Sequence, residues 1–366
     1  PEVSVRVIQG DCNSAIDEIV RAVDAVLKRS RRNKDTDPVR KVHLEDLSRP
    51  EHGGQKRILT TPGAVGYLKI AEGCDKHCTY CIVPYTRGPE SSRKPESIYE
   101  ECKVIVDKGY KEITLLGQNV NSYGKDIPES ATLFHDLLYK IDAIPGLERV
   151  RFMTSHPIDI TKNLMEAIRD LRTVCEFVHF PIQAGSDRIL KKMHRLYSKQ
   201  EYLEKVHMLR EIVPDVAIGT DIIVGFPTET ESEFCETIDV LKELKYHTAF
   251  LFAYSPRKGT PATRWKDDIP LEVKDERLQR LIEVQEEVTQ ELRNKRLGQT
   301  VEVLVEGKSQ KESQNLRGRT RHWENVIFSG DESLVGTLQH VKIHSFGNLT
   351  MMGDLVTAKN RFAIVA

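Results

Sequence analysis

The stretch EGCDKHCTYCIVPYTRG, Glu72 to Gly88, sets Cys74, Cys78 and Cys81 at the spacing C-x3-C-x2-C. Three cysteines so close together point to a bound metal, yet a closed tetrahedral zinc site takes four ligands. The chain holds no second C-x2-C pair, and His77, inside the first spacing, would strain to complete a tetrahedron. A cubane of four irons held by three thiolates is the alternative, and it leaves one iron open. An open position marks a reactive metal rather than a structural one. A zinc completed by a distant histidine is the second reading.

Working outward, the cysteine stretch follows a short apolar run and begins a regular alternation of strand and helix patterns. Strands are expected at 67–71, 112–116, 149–153, 177–180, 217–224 and 249–254. Helices are expected at 98–107, 134–143, 162–170, 199–211 and 231–244, with a long charged helix at 271–297 ending on Gly298. Strands alternating with helices give an α/β fold with a parallel sheet, and six units predict a partial (β/α)6 TIM-like barrel over 63–296. An open doubly wound sheet is the other topology this pattern allows. In a parallel barrel the site lies at the C-terminal strand ends, and the residues there are polar. They are the cysteine loop, Gln118, Asn119 and Asn121, then Thr154, Ser155 and His156, Gln183 and Ser186, Asp221, and finally Tyr254, Ser255 and Arg257.

Residues 1–30 alternate like a strand and then carry a helical pattern capped by Ser14, so they read as the remnant of an α/β domain that opens in mid-fold at Pro1. Residues 31–62, with KRSRRNK and several Pro and Gly, read as a linker. Residues 297–366 show short alternating segments between Gly-containing turns, the pattern of a small all-β barrel. The seven cysteines are odd in number; Cys12, Cys102, Cys175 and Cys235 are scattered and read as small apolar residues, which argues against a disulfide framework. No run is long and apolar enough for a membrane span, so a cytoplasmic protein with no membrane partner is expected. Lys+Arg of 54 against Asp+Glu of 55 leaves a charge of -1, so a nucleic acid could be held only by local patches. One such patch surrounds Arg317, Arg319, Arg321, His322 and Trp323, where the indole could stack on an unpaired base.

The cysteine spacing with Tyr80 before the last cysteine resembles the signature of radical S-adenosylmethionine (SAM) enzymes. The segments EITLLGQNVNSYG, RFMTSHP, FPIQAGSDRILKKMHR, DIIVGFPTET and FAYSPRKGTPA narrow the resemblance to the methylthiotransferase family and its MiaB-type tRNA branch. Gln118-Asn119-Val120 and Ser155-His156-Pro157 stand where the branch that modifies a ribosomal protein tends to differ. The resemblance implies that Cys74, Cys78 and Cys81 hold a [4Fe-4S] cluster whose open iron takes SAM. It also implies cofactor contacts from Tyr80, Gln118, Asn119, Gln183, Ser186 and Asp221. The match to the Gly-x-Ile-x-Gly-x-x-Glu element is loose, because Asp221 and Thr228 stand at its Gly and Glu positions. The final domain resembles a TRAM domain gripping the anticodon stem-loop. The implied substrate is tRNA carrying N6-isopentenyladenosine, methylthiolated at C2, with a flavodoxin or ferredoxin as reductant, a sulfur donor and a monomeric enzyme. The family's second [4Fe-4S] cluster is held by three N-terminal cysteines, and its ligands are absent from this sequence; without them sulfur insertion is expected to fail. Methylthiolation of a ribosomal protein and a zinc-stabilised, non-catalytic RNA-binding module are the competing functions.

Overall fold

The computed structural model describes residues 64–127, 132–309, 314–347 and 350–356. The chain separates into two units, Pro1–Gly54 and Gln55–Ala366. The strand and helix expected within 1–30, Cys12 and the linker 31–62 lie outside the described residues.

Six short strands rich in β-branched and aromatic residues run parallel: β1 (Val65–Lys69), β2 (Glu112–Leu116), β3 (Arg149–Phe152), β4 (Phe177–His179), β5 (Ala217–Val224) and β6 (Thr248–Ala253). β1, β2 and β3 form one ladder and β4, β5 and β6 another, and one parallel bridge between Val150 and Val174 connects them. The order never reverses. A doubly wound sheet reverses at its switch point, so the sequential order fits the curved arc of a partial barrel. Among the described residues no strand pairs with the outer edge of β1 or of β6.

The crossovers carry α1 (Pro95–Asp107), α2 (Phe134–Asp142), α3 (Lys162–Asp170), α4 (Lys199–Ile212) and α5 (Glu231–Leu244); α6 (Leu271–Asn294) follows the last strand. Thr161, Ser198 and Thr230 start α3, α4 and α5 by accepting a hydrogen bond from the N–H three residues on, and Glu201 and Glu233 close two capping boxes. α1 begins three residues before its expected start, because Pro95 and Glu96 suit a first helical turn. α6 stops short of residue 297, where the chain tightens through bonds from Arg296 to Arg293 and Leu297 to Asn294.

Alternation sorts the strands into two faces. Leu68, Ile113, Leu115, Val150, Phe152, Val178, Ile218, Ile222 and Val224 join the helices in one core. The opposite, concave face therefore carries Tyr67, Lys69, Arg149, Arg151, Phe177, His179, Asp221, Phe250 and Phe252. Gly219 belongs to that face, and a Cβ there would lie 2.8 Å from the Phe177 ring.

A closed five-stranded barrel follows: β7 (Thr300–Lys308), β8 (Asn315–Arg319), β9 (Asn325–Ser329), β10 (Leu338–Phe346) and β11 (Met351–Leu355). Its strands close in the order β8-β9-β11-β10-β7 around a separate core of Val303, Val305, Leu316, Val326, Phe328, Val341, Ile343 and Met351. It docks at the N-terminal ends of the parallel strands. Arg149 donates to Arg319 O at 2.7 Å and to Glu302 Oε1 at 2.8 Å. Arg151 donates to the carbonyls of Thr320 and Arg321, and Arg321 grips Glu176 through two bonds of 2.7 and 2.8 Å. Trp323 stacks on Phe177 at 5.7 Å, with Arg319 4.2 Å and Arg151 5.2 Å from its ring centre.

This corrects the expected nucleic-acid patch. Trp323, Arg319 and Arg321 face the parallel sheet, and of the five residues singled out, Arg317 alone is exposed. A basic and aromatic cluster looks the same in sequence whether it meets a base or a phenyl ring. Replacing Trp323 with Ala should therefore lower the free energy of urea unfolding by about 3 kcal/mol, because it empties the seam under Phe177. Arg317→Ala should change it by no more than about 0.5 kcal/mol.

Candidate metal centre

The cysteine loop leaves the C-terminal end of β1, opposite to the docked barrel. Gly73 has φ of 76°, and a Cβ there would lie 2.0 Å from Pro89 O, so the turn into the loop admits glycine alone. Cys74 N–H donates to Gly88 O at 3.2 Å, and Asp75 Oδ1 accepts Glu90 N–H at 3.0 Å. Lys76 reaches Asp159, beyond β3, at 2.8 Å. Thr79 donates its N–H to Met193 O at 3.0 Å and its hydroxyl to Lys192 O at 2.9 Å, beyond β4, and accepts Ala262 N–H at 2.8 Å, beyond β6. Arg87, at the end of the loop, sits exposed beside Glu72 at 3.6 Å.

Cys74, Cys78 and Cys81 are free; Cys78 is buried and the other two are half-buried. Burial pushes the Cys74 thiol up to about 11, and the nearby Cys78 and Cys81 push it in the same direction. Burial also raises Cys81. Such thiols ionise only against a cation or a metal. Among the described residues no three His, Cys, Asp or Glu side chains gather about a point that could hold one metal ion. One tetrahedral zinc would draw sulfurs within about 4 Å of one another. A cluster takes each thiolate on its own iron.

The cation is Arg195. Its guanidinium is buried and donates to Cys78 Sγ at 3.3 Å, to Tyr197 Oη at 2.8 Å, to Pro181 O at 3.1 Å and to Tyr80 Oη at 3.5 Å. Arg195 closes the FPIQAGSDRILKKMHR segment, where nothing in the sequence marks it as a partner of the cysteine loop.

The candidate cofactor contacts divide into two groups. Asn119 is fully engaged, donating to Asp159 Oδ2 at 2.6 Å and accepting His156 N–H at 3.0 Å. Ser186 starts a short helix and donates to Glu233 at 3.2 Å. Both therefore brace neighbouring side chains. Tyr80 packs on the core with its hydroxyl beside Arg195. Gln118 Oε1 is buried without a partner. Gln183 holds a left-handed backbone, φ 77°, while its N–H and O pair with Asp221 O and Ile223 N–H. A non-glycine residue kept in that region signals a constrained position. Asp221 lies on the concave face, 3.0 Å from His179 Nε2. The acid sought at position 228 is the next residue: Glu229 accepts Gly225 N–H at 2.7 Å and pairs with Arg277 at 2.9 Å.

Residues 68–241 match the family model of the Radical SAM superfamily. The chain is 67% identical over 289 residues to the tRNA-2-methylthio-N(6)-dimethylallyladenosine synthase of Protochlamydia amoebophila (strain UWE25), covering 79% of this chain and 64% of that protein. It is 54% identical over 290 residues to the enzyme of the same name from Thermoanaerobacter pseudethanolicus, covering 79% of this chain and 61% of that protein. The chain thus spans less than two thirds of these relatives' length. Among solved structures, coproporphyrinogen III oxidase from Escherichia coli is similar at TM-score 0.47 and 12% identity, over 81% of this chain and 73% of its own.

His156, expected as a polar residue at a strand end, is neutral instead. Burial pushes its imidazole down to about 2, and the neighbouring Arg195 acts in the same direction. The unfolded chain takes up a proton at this histidine below about pH 6.5 and the folded chain does not, so its contribution to stability is lost as pH falls. Urea unfolding of the protein and of His156→Asn at pH 6 and pH 4 should show the native protein losing about 1.4 kcal/mol per pH unit relative to the variant.

Proposed function

We propose that this chain, a member of the radical SAM superfamily, acts in methylthiolation of tRNA at C2 of N6-dimethylallyladenosine beside the anticodon. The observation that carries the reading is the set of three free, partly buried thiols on one loop, with the buried Arg195 guanidinium against Cys78. The names of the relatives above support the substrate. The loop residues suit a [4Fe-4S] cluster, because a buried cation at the sulfur favours the thiolate that such a cluster requires.

Cys74, Cys78 and Cys81 would hold the cluster. Gln118, Gln183, Asp221 and Tyr80 would orient SAM at the strand ends, while Asn119 and Ser186 act one step back through Asp159 and Glu233. The cofactors supply one-electron chemistry, needed because an unactivated aromatic C–H offers neither an acidic proton nor a leaving group. The chain's own part is to place the base and to keep water out. The concave face serves both purposes, since the seam around Trp323 closes it below.

Residues 63–296 form the catalytic core in this reading, and 297–366 serve as a TRAM-type RNA-binding domain. RNA would meet the barrel through the outward face bearing Arg317 and, on β10, His340, Lys342 and His344, which are exposed on alternate positions. A cytoplasmic monomer served by a reductant of the flavodoxin or ferredoxin type and by a separate sulfur donor completes the proposal. Among the described residues no helix is long and apolar enough to cross a membrane.

The test is release of 5′-deoxyadenosine from SAM under anaerobic reduction, with and without RNA. Release should rise when the anticodon hairpin carries N6-dimethylallyladenosine, and not with the unmodified hairpin. Serine at any of the three cysteine positions should lower release at least about 100-fold. Stimulation by a ribosomal protein in place of RNA would transfer the chain to the protein-modifying branch.

A further inference from the structure

Phe250 and Phe252 take no part in the centre described above. They lie on β6, the last strand of the arc, where Phe250 opposes Asp221 and Phe252 opposes Ile223. Phe250 meets His179 edge to face at 5.8 Å, which fixes it on the concave side. Leu251, between them, packs into the core. The two phenylalanines are 41% and 50% exposed. Large aromatic side chains at successive positions of one concave face, left open to solvent, mark a surface that receives a ligand.

The surroundings define the ligand's chemistry. The wall itself is apolar, and the His179–Asp221 pair stands beside Phe250 on the same face. A ligand that fits offers a flat ring or an apolar group to this surface. A base read by stacking on aromatic side chains is one turned out of an RNA loop. Of the candidate SAM partners, Tyr80, Gln118 and Gln183 lie beyond the strand ends, and Asp221 shares this face.

We infer that Phe250 and Phe252 are the specificity-determining surface for the apolar N6 substituent of the target adenine. The inference rests on the substrate proposed above. The purine stacks against the phenyl wall, and its five-carbon arm covers the aromatic surface that is otherwise wet. An adenine without the arm leaves the wall exposed and is discriminated against on that account.

The experiment measures binding of the chain to two fluorescently labelled anticodon hairpins that differ only in the N6 substituent, dimethylallyl or hydrogen. The native protein should bind the substituted hairpin roughly 10- to 100-fold more tightly, the range one added aliphatic group provides in an apolar pocket. F250A/F252A should reduce that ratio to about threefold or less by weakening the substituted hairpin alone. Phe252→Leu, which retains apolar surface, should keep most of it. Circular dichroism and thermal unfolding confirm that each variant is folded. A double variant that keeps the full ratio overturns the inference, as does one that loses affinity for SAM while its RNA ratio is unchanged. A native protein that binds both hairpins equally removes the substrate reading itself and the inference with it.

Discussion

A guanidinium buried against a cysteine sulfur is the interaction on which the rest of the site depends. Removing an arginine from water costs several kcal/mol unless an anion or a full set of acceptors meets it. Arg195 has two phenol oxygens, one carbonyl and the sulfur of Cys78. Among the described residues no carboxylate forms an ion pair with it. Phenols and a carbonyl satisfy its hydrogen bonds but leave its charge, and the sulfur of Cys78 is its contact among the three cysteines. The same guanidinium, with burial, keeps His156 uncharged. The site therefore has one fixed cation, with the cysteine trio as its natural counter-ion.

Holding that geometry requires the loop to be tied to distant parts of the chain, and the parallel arc provides the ties. Loops after β3, β4 and β6 each reach the cysteine loop through Asp159, through Met193 with Lys192, and through Ala262. Such convergence is the property of parallel strands: their C-terminal ends lie together at one end of the sheet. At the other end the small barrel seals the floor with the Arg149, Arg151 and Trp323 seam. One end of the arc is thus built for chemistry and the other for stability.

Much of this was legible in the sequence. The bounds of β2, β5, α3 and α5 follow directly from their periodicity, because a buried β-branched run and a capped amphipathic helix leave different spacings. The cysteines were legible because thiols at such close spacing have few other uses. Arg195 and Asp159 were not, since a charged residue near a loop reads as solvated until its partner is known, and their partners lie 117 and 83 positions away in the chain. Trp323 was misread for the same reason. The pattern gave its chemistry, while only the tertiary contact shows that it stacks on Phe177. Asn119 and Ser186 have partners that the sequence does not show, Asp159 and Glu233, 40 and 47 positions on.

The most direct test is the metal content of the chain after anaerobic reconstitution with iron and sulfide. Bound iron and acid-labile sulfide at about four each per chain, lost together in Cys78→Ser, is the expected result. One zinc per chain, with no iron or sulfide retained, would contradict the account.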